Sequence, residues 1–212
     1  RRGGRQQSER WRKAQLGEDD PDTLTSAHRL AYLLKKMDRR DRMEEVEPLF
    51  RVTYAARKRT LGADHRDTLQ TGYDFALVLD DAGALDEAEP LIRTVHAACE
   101  RTLGEDHDLT LRSADRLAAV LEKTGRRKEA EPLLRAVYGA LKAKHGAEHG
   151  KAQAAAWKLA RLLKKMGRAD EAETLCPADD RADDATAASA SKPPFVDGAR
   201  ALEGEEVRRL GR

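Results

Sequence analysis

Apolar residues recur along this chain in steps of three and four. Leu24, Ala27, Leu30, Ala31 and Leu34 form one such stripe, and Leu69, Gly72, Phe75, Ala76 and Leu79 form the next. Leu111, Ala114, Leu117, Ala118 and Leu121 make a third, followed by Ala156, Leu159, Ala160 and Leu163. Steps of three and four place side chains on one face of a helix, so each stripe predicts an amphipathic helix with polar residues on its other side. A second kind of stripe alternates with these: Ala88, Leu91, Ile92, Val95, Ala98 and Cys99, and then Ala130, Leu133, Leu134, Val137, Ala140 and Leu141. Between the two kinds stand Gly83, Gly125 and Gly167, where a residue without Cβ can take the left-handed conformation that ends a helix. The pattern therefore predicts helix, tight turn, helix, several times over.

The copies are regular. Leu103 to Lys144 repeats after a shift of 42 residues in either direction, which is the signature of an α-solenoid whose units bury their apolar faces on one another. The expected array covers residues 16–176, as repeats 16–60, 61–102, 103–144 and a partial 145–176, the first with three extra residues near Asp38 to Asp41. The small residue that recurs as Ala31, Ala76, Ala118 and Ala160 predicts a close helix crossing. Asp86 with Glu89, and Asp170 with Glu173, are spaced as capping boxes, with Pro48, Pro90 and Pro132 expected in the first turn of the second helices. The fourth copy breaks off where its second helix meets Cys176-Pro177. Outside the array, residues 1–15 are expected to be the remnant of a preceding helix or an N-terminal cap carrying Trp11. Residues 177–196 are expected to be a disordered linker poor in large apolar groups, and 197–212 a short helix.

Composition changes this picture little. With 40 basic and 38 acidic residues the net charge is +2, so total charge calls for neither a polyanion nor a membrane surface. Charged residues are 37% of the chain and aromatics 4%, which would suggest disorder were the Ala and Leu positions not periodic. Cys99 and Cys176 share no short spacing and no ligand-rich neighbourhood, which speaks against a disulfide framework or a zinc site and fits a reducing, cytoplasmic setting. No apolar run approaches the roughly 18 residues of a membrane span. The chain starts at Arg1 rather than Met, so additional domains in a longer protein stay open.

Candidate chemistry is sparse. His65, His107 and His149 recur in the loops before the first helices and are expected to cap them rather than hold a metal. His145 and His149 lie four apart, but in a Gly-bearing loop. GEDDPD, from Gly17 to Asp22, lacks the alternating ligand spacing of a calcium loop. Nucleophile elbows, phosphate loops and dinucleotide fingerprints are missing, and the carboxylates of the EAEP segments are expected on exposed first turns where nothing perturbs them. The chain is therefore expected to be no enzyme, with no catalytic residues, cofactor or metal. Lys35, Lys36, Arg39, Arg40 and Arg42 could meet phosphates, but Asp38, Asp41, Glu44 and Glu45 are interleaved with them, so a nucleic-acid-binding helical repeat is the less favoured reading.

The repeat unit resembles the 42-residue tetratricopeptide repeats of the kinesin light chain type, carried by LGEDDPDTL at Leu16 to Leu24, LGEDHDLTL at Leu103 to Leu111, and EAEPL at Glu87 to Leu91 and Glu129 to Leu133. The resemblance implies an all-α, right-handed superhelical solenoid of antiparallel helix pairs, with the first helices lining a concave groove that binds peptides. The groove would be lined by His28, Tyr32, Lys35 and Lys36, then Gln70, Tyr73 and Leu77, then Arg112 and Asp115, and then Trp157, Arg161, Lys164 and Lys165. Tyr32, Tyr73 and Trp157 would be its aromatic anchors, with basic ends flanking an acidic middle at Asp80 and Asp81. An Asn-Asn pair common in related repeats is replaced here by His28-Arg29, Tyr73-Asp74, Asp115-Arg116 and Trp157-Lys158, so an amide clamp on a peptide backbone is absent. The expected function is a non-catalytic scaffold or adaptor for a protein or peptide partner. The alternative is a regulatory or sensor arm of a larger signalling protein or enzyme.

Overall fold

A computed structural model describes residues 17, 19–36 and 43–175, all of them in or next to helices. Four helical hairpins follow one another: α1 (Pro21–Lys36) with α2 (Met43–Thr60), α3 (Arg66–Asp81) with α4 (Leu85–Leu103), α5 (Asp108–Lys123) with α6 (Arg127–His145), and α7 (Gly150–Lys165) with the short α8 (Ala169–Leu175). Each helix packs on the next in sequence, and α3 also touches α1 and α5. The first helices thus form one continuous layer. The expected N-terminal cap, the linker and the C-terminal helix fall outside the described residues.

The stripes are the core. Ala31, Ala76, Ala118 and Ala160 are each at most 4% exposed, so the recurring small side chain sits where α1, α3, α5 and α7 press on their partners. One apolar cluster joins Ala31, Leu34, Val46 and Phe50 to Phe75, Val78, Leu79 and Ala88. A larger one runs from Leu69 and Ile92 through Leu117, Leu121 and Leu134 to Leu159, Leu163 and Ala172. Cys99 is fully buried in it, a small core residue as its place in the stripe predicts.

Termini are handled unequally. His65, His107 and His149 cap α3, α5 and α7, each through an imidazole Nδ1 that accepts from the amide two residues on, at 3.1, 3.1 and 3.2 Å. Asp20 does the same for α1, accepting from the Asp22 amide at 2.9 Å. The hairpin turns rest on Gly83, Gly125 and Gly167, with φ of 79°, 79° and 80°. At the first of these, the Ala84 amide reaches back to the Leu79 carbonyl at 2.9 Å. The expected capping box of Asp86 and Glu89 does not form: α4 starts from Ala84 without a side-chain cap, as α6 does from Arg126. Because those helices begin at Leu85 and Arg127, Pro90 and Pro132 fall in the second turn rather than the first. The acid of the expected box, Glu89, bonds Arg93 instead, at 3.0 Å.

One glycine is required for contact rather than conformation. A Cβ on Gly72 would lie 2.7 Å from Val95 Cγ2 and 2.9 Å from Tyr54 Cε2, whereas one on Gly139 would meet nothing within 4 Å. Gly72→Ala should therefore lower stability by about 1–3 kcal/mol through overpacking, while Gly139→Ala should raise it by about 0.5–1 kcal/mol through helix propensity alone. Urea unfolding of the two variants beside the parent chain checks both signs.

Candidate partner-binding groove

The layer of α1, α3, α5 and α7 carries every expected groove residue, and its charges are mostly paired from one repeat to the next. Lys35 Nζ stands 3.1 Å from Asp81. Asp80, almost wholly buried, accepts from Arg116 at 3.1 Å and Lys123 at 2.5 Å. Asp115 takes both of its hydrogen bonds from Lys158, at 2.7 and 2.6 Å, and Glu122 accepts from Arg161 at 3.2 Å and Lys165 at 2.5 Å. Burial alone would raise the Glu122 carboxyl, but Lys165 and Arg161 outweigh it and hold that group below the usual carboxylate range. The acidic middle of the groove is thus neutralised by its own neighbours. Lys164, exposed on the last first helix, has no ion pair among the described residues.

The aromatic positions divide. Trp157 is 44% exposed with the Arg161 guanidinium 5.3 Å from its ring centroid, and Tyr32 is 39% exposed. Tyr73 differs from the expectation of an open anchor. It is 6% exposed, because Arg112 of the following repeat lies over its ring at 4.5 Å. Gln70 is committed as well, donating to Asp74 at 2.9 Å, and Leu77 packs against the core while half-buried. What remains open is an aromatic group at either end of the layer, with exposed Lys36 one turn from Tyr32, and with exposed Lys164 on the same helix as Trp157, whose ring is stacked by the Glu122-paired Arg161.

His28 points into the first inter-repeat contact. Its Nε2 is 3.4 Å from Asp74, its Nδ1 is 3.3 Å from Thr71 Oγ1, and Phe50 packs edge-on against its ring. Burial first and the charge of Arg57 second push the His28 imidazole down to about 4, so it is neutral at pH 7. Burial likewise raises the Asp74 carboxyl. Arg57, absent from the expected groove, is 4% exposed and donates to Thr71 Oγ1 at 2.7 Å, Thr25 Oγ1 at 3.1 Å and the Asp67 carbonyl at 3.1 Å. A signal for it existed in the sequence: Arg57 occupies the stripe position that the next repeats fill with Cys99 and Leu141.

Along the starts of the second helices the EAEP carboxylates form a ladder with arginines, which corrects the expectation that nothing perturbs them. Arg51 bridges Glu47 and Glu87, Arg93 bridges Glu89 and Glu129, and Arg135 bridges Glu131 and Glu171. Arg126 adds a tie between Glu89 and Glu129, and Arg168 one between Glu131 and Glu171. The hydrogen bond from Arg93 is the largest of the effects that hold the Glu89 carboxyl below its ordinary value. No three metal-ligating side chains converge among the described residues, and no helix there is long and apolar enough to cross a membrane.

Tetratricopeptide-repeat family profiles match residues 23–67 and residues 73–143. Among solved structures the chain is similar to nearly identical TPR-like repeats from Podosopora anserina that are ascribed to a kinesin light chain. One such structure is 28% identical over 82% of this chain and 81% of that one, with a TM-score of 0.71. A substituted form of the same protein is 26% identical over 82% and 80%, with a TM-score of 0.72. BtubC (BKLC) from P. vanneervenii shares the fold, with a TM-score of 0.66 at 15% identity over 74% of this chain and 62% of its own. The search of curated proteins returned no match.

The His28 site fixes the sign of an acid response. The unfolded imidazole takes a proton near pH 6.5 and the folded one only near 4, so between those values the unfolded state holds the extra proton and stability falls as pH falls. Asp74, with its raised carboxyl, acts in the opposite sense. The His28 contribution is of the order of 3 kcal/mol at its limit, from about 1.4 kcal/mol per pH unit. His28→Gln should flatten the decline of melting temperature between pH 6.5 and 4 relative to the parent, as followed by circular dichroism.

Proposed function

This chain is a tetratricopeptide-repeat protein of the kinesin light chain type, and from that premise we propose that the face of its first helices holds an extended or helical segment of a partner protein. The repeats make it a protein-interaction scaffold. The groove reading rests on one observation above the others: Trp157 stands exposed on the groove layer beside Arg161 and Lys164, where the equivalent positions His28, Tyr73 and Asp115 are each covered by the following repeat. A rigid aromatic flanked by cations is the kind of group that dominates interfaces.

Tyr32 marks the other end. Three repeat spacings separate it from Trp157, roughly 30 Å at about 10 Å per packed helix. A segment of roughly nine extended residues reaches both. Between them the ion pairs offer shape and backbone contacts more than free charge, since each carboxylate there already has a cation from a neighbouring repeat. Specificity is therefore assigned to the two ends. The role of Tyr73 is to hold Arg112 in place, which makes it a poor probe of binding.

Peptides selected from a random library on the immobilised chain provide the test. Trp157→Ala should weaken the selected peptides about tenfold or more, as hot-spot truncations do, and Tyr32→Ala should weaken the longer ones. Val52→Ser, on an exposed valine of α2 outside the groove layer, should leave their affinity unchanged. Peptides that are indifferent to Trp157 and sensitive to Val52 would move the binding face to the second helices. Calorimetric titration of each variant reads the difference.

A further inference from the structure

The contact between the first and second hairpins is built in two unlike halves. Around the C-terminal halves of α1 and α3 it is apolar: Ala31, Leu34, Val46 and Phe50 meet Phe75, Val78, Leu79 and Ala88. Around their N-terminal halves it is polar. Arg57 of α2 is buried there between Thr25 of α1 and Thr71 of α3, with His28 and Asp74 beside it. Later contacts place smaller or apolar groups at the same positions: Cys99 with Ser113, to which a buried His96 is hydrogen-bonded, and then Leu141 with Ala155. In the last of these an apolar cluster of Leu111, Ala114, Val137 and Ala155, with Leu141 packed against it, fills the region that Arg57 and Thr71 occupy in the first.

A further observation falls on the same half. The buried side-chain polar atoms that lack a hydrogen-bond partner within the described chain are Thr23 Oγ1, Thr68 Oγ1 and Arg57 Nε. All three lie in or beside the N-terminal turns of α1 and α3. Such groups cost free energy while closed and lose that cost when water reaches them. At the apolar half, where Arg51 lies over the Phe75 ring, the arginine ladder is thinner than in the later joints: the residue equivalent to Arg126 and Arg168 is Ala84, and among the described residues Arg51 ties Glu47 to Glu87.

We propose that this first joint is a hinge: its polar half opens to water while the first hairpin pivots on the apolar half at Phe50, Phe75 and Val78, and the later joints stay closed. Opening hydrates Arg57 and gives partners to the three unsatisfied atoms, so it is cheaper here than where Leu141 and Ala155 would be exposed. The motion carries Tyr32 relative to Trp157 and so adjusts the length of the groove. That consequence rests on the peptide reading; the hinge itself does not. The charged and titratable groups that face His28 are Arg29 on its own helix, Arg57 on α2, and Asp67 and Asp74 on α3. Its protonation adds a positive charge beside Arg57, so through His28 acid favours the open form, while the raised Asp74 carboxyl pulls the other way.

Thiol labelling tests the hinge without any partner. A thiol reagent would be applied to Thr71→Cys, to Ser113→Cys at the equivalent place in the next joint, and to Thr71→Cys combined with Arg57→Leu. The hinge requires the Thr71→Cys thiol to react about tenfold or more faster than that of Ser113→Cys, and to slow several-fold when Arg57→Leu makes the joint apolar. Equal rates in the first two variants, or a fast Thr71→Cys thiol that Arg57→Leu does not slow, would overturn the proposal, the second result meaning simple fraying of the end repeat. Cys99, fully buried with its thiol pushed up to about 11 by burial, is the internal control. Its labelling would reveal a variant that has unfolded throughout, in which case hydrogen exchange of the parent chain decides. Amides of α1 and α2 must then exchange faster than those of α5 and α6, and equal protection would overturn the hinge.

Discussion

The close crossing of each first helix with its partner, at Ala31, Ala76, Ala118 and Ala160, is the contact on which the remaining structure depends. A larger side chain there would hold the backbones apart, and the leucines around it would lose their depth. Because the crossing recurs every 42 residues in the later repeats, each hairpin presents the same face to its neighbour, and the same neighbour contacts are built again. Regularity in one small residue thus becomes regularity in everything that is stacked on it.

Charge is the second layer of that regularity. Residues roughly one repeat apart come together across the stack, so an acid in one copy finds a base in the next: Asp80 finds Lys123, Asp115 finds Lys158, and Glu122 finds Lys165. In the arginine ladder at the starts of the second helices both senses occur, Glu89 finding Arg126 in the next copy and Arg93 finding Glu129. Exposed pairs of this kind contribute little each. Their effect is on register and on the charge left open on the layer of first helices, because a charge committed to the next repeat is less available to a partner.

The first joint departs from the pattern. Arg57, His28 and Asp74 make it polar and charged, where the second joint holds the smaller polar pair His96 and Ser113 and the last is apolar, and no single repeat shows why. A buried guanidinium held by two hydroxyls and a carbonyl is satisfied well enough to fold, yet is less costly to open than a wall of leucine. Function in a solenoid depends on curvature and reach, so an unequal joint bears directly on binding.

The periodic stripes by themselves determined the helices, the glycine turns, the histidine caps and the tetratricopeptide architecture, since each of these depends on contacts at a fixed sequence separation. The burial of Cys99 followed from the same spacing. What only the tertiary structure decided lies between repeats. Tyr73 was an open aromatic in the sequence and is covered in the fold, because Arg112 comes from another copy. Glu89 fitted a capping box by its spacing within one helix, but Arg93 on its own helix and Arg126 before the next second helix took its carboxylate first. Spacing within a helix is written in the chain; which side chain arrives from the neighbouring hairpin depends on how the two pack, and packing alone set which groove residues remained open.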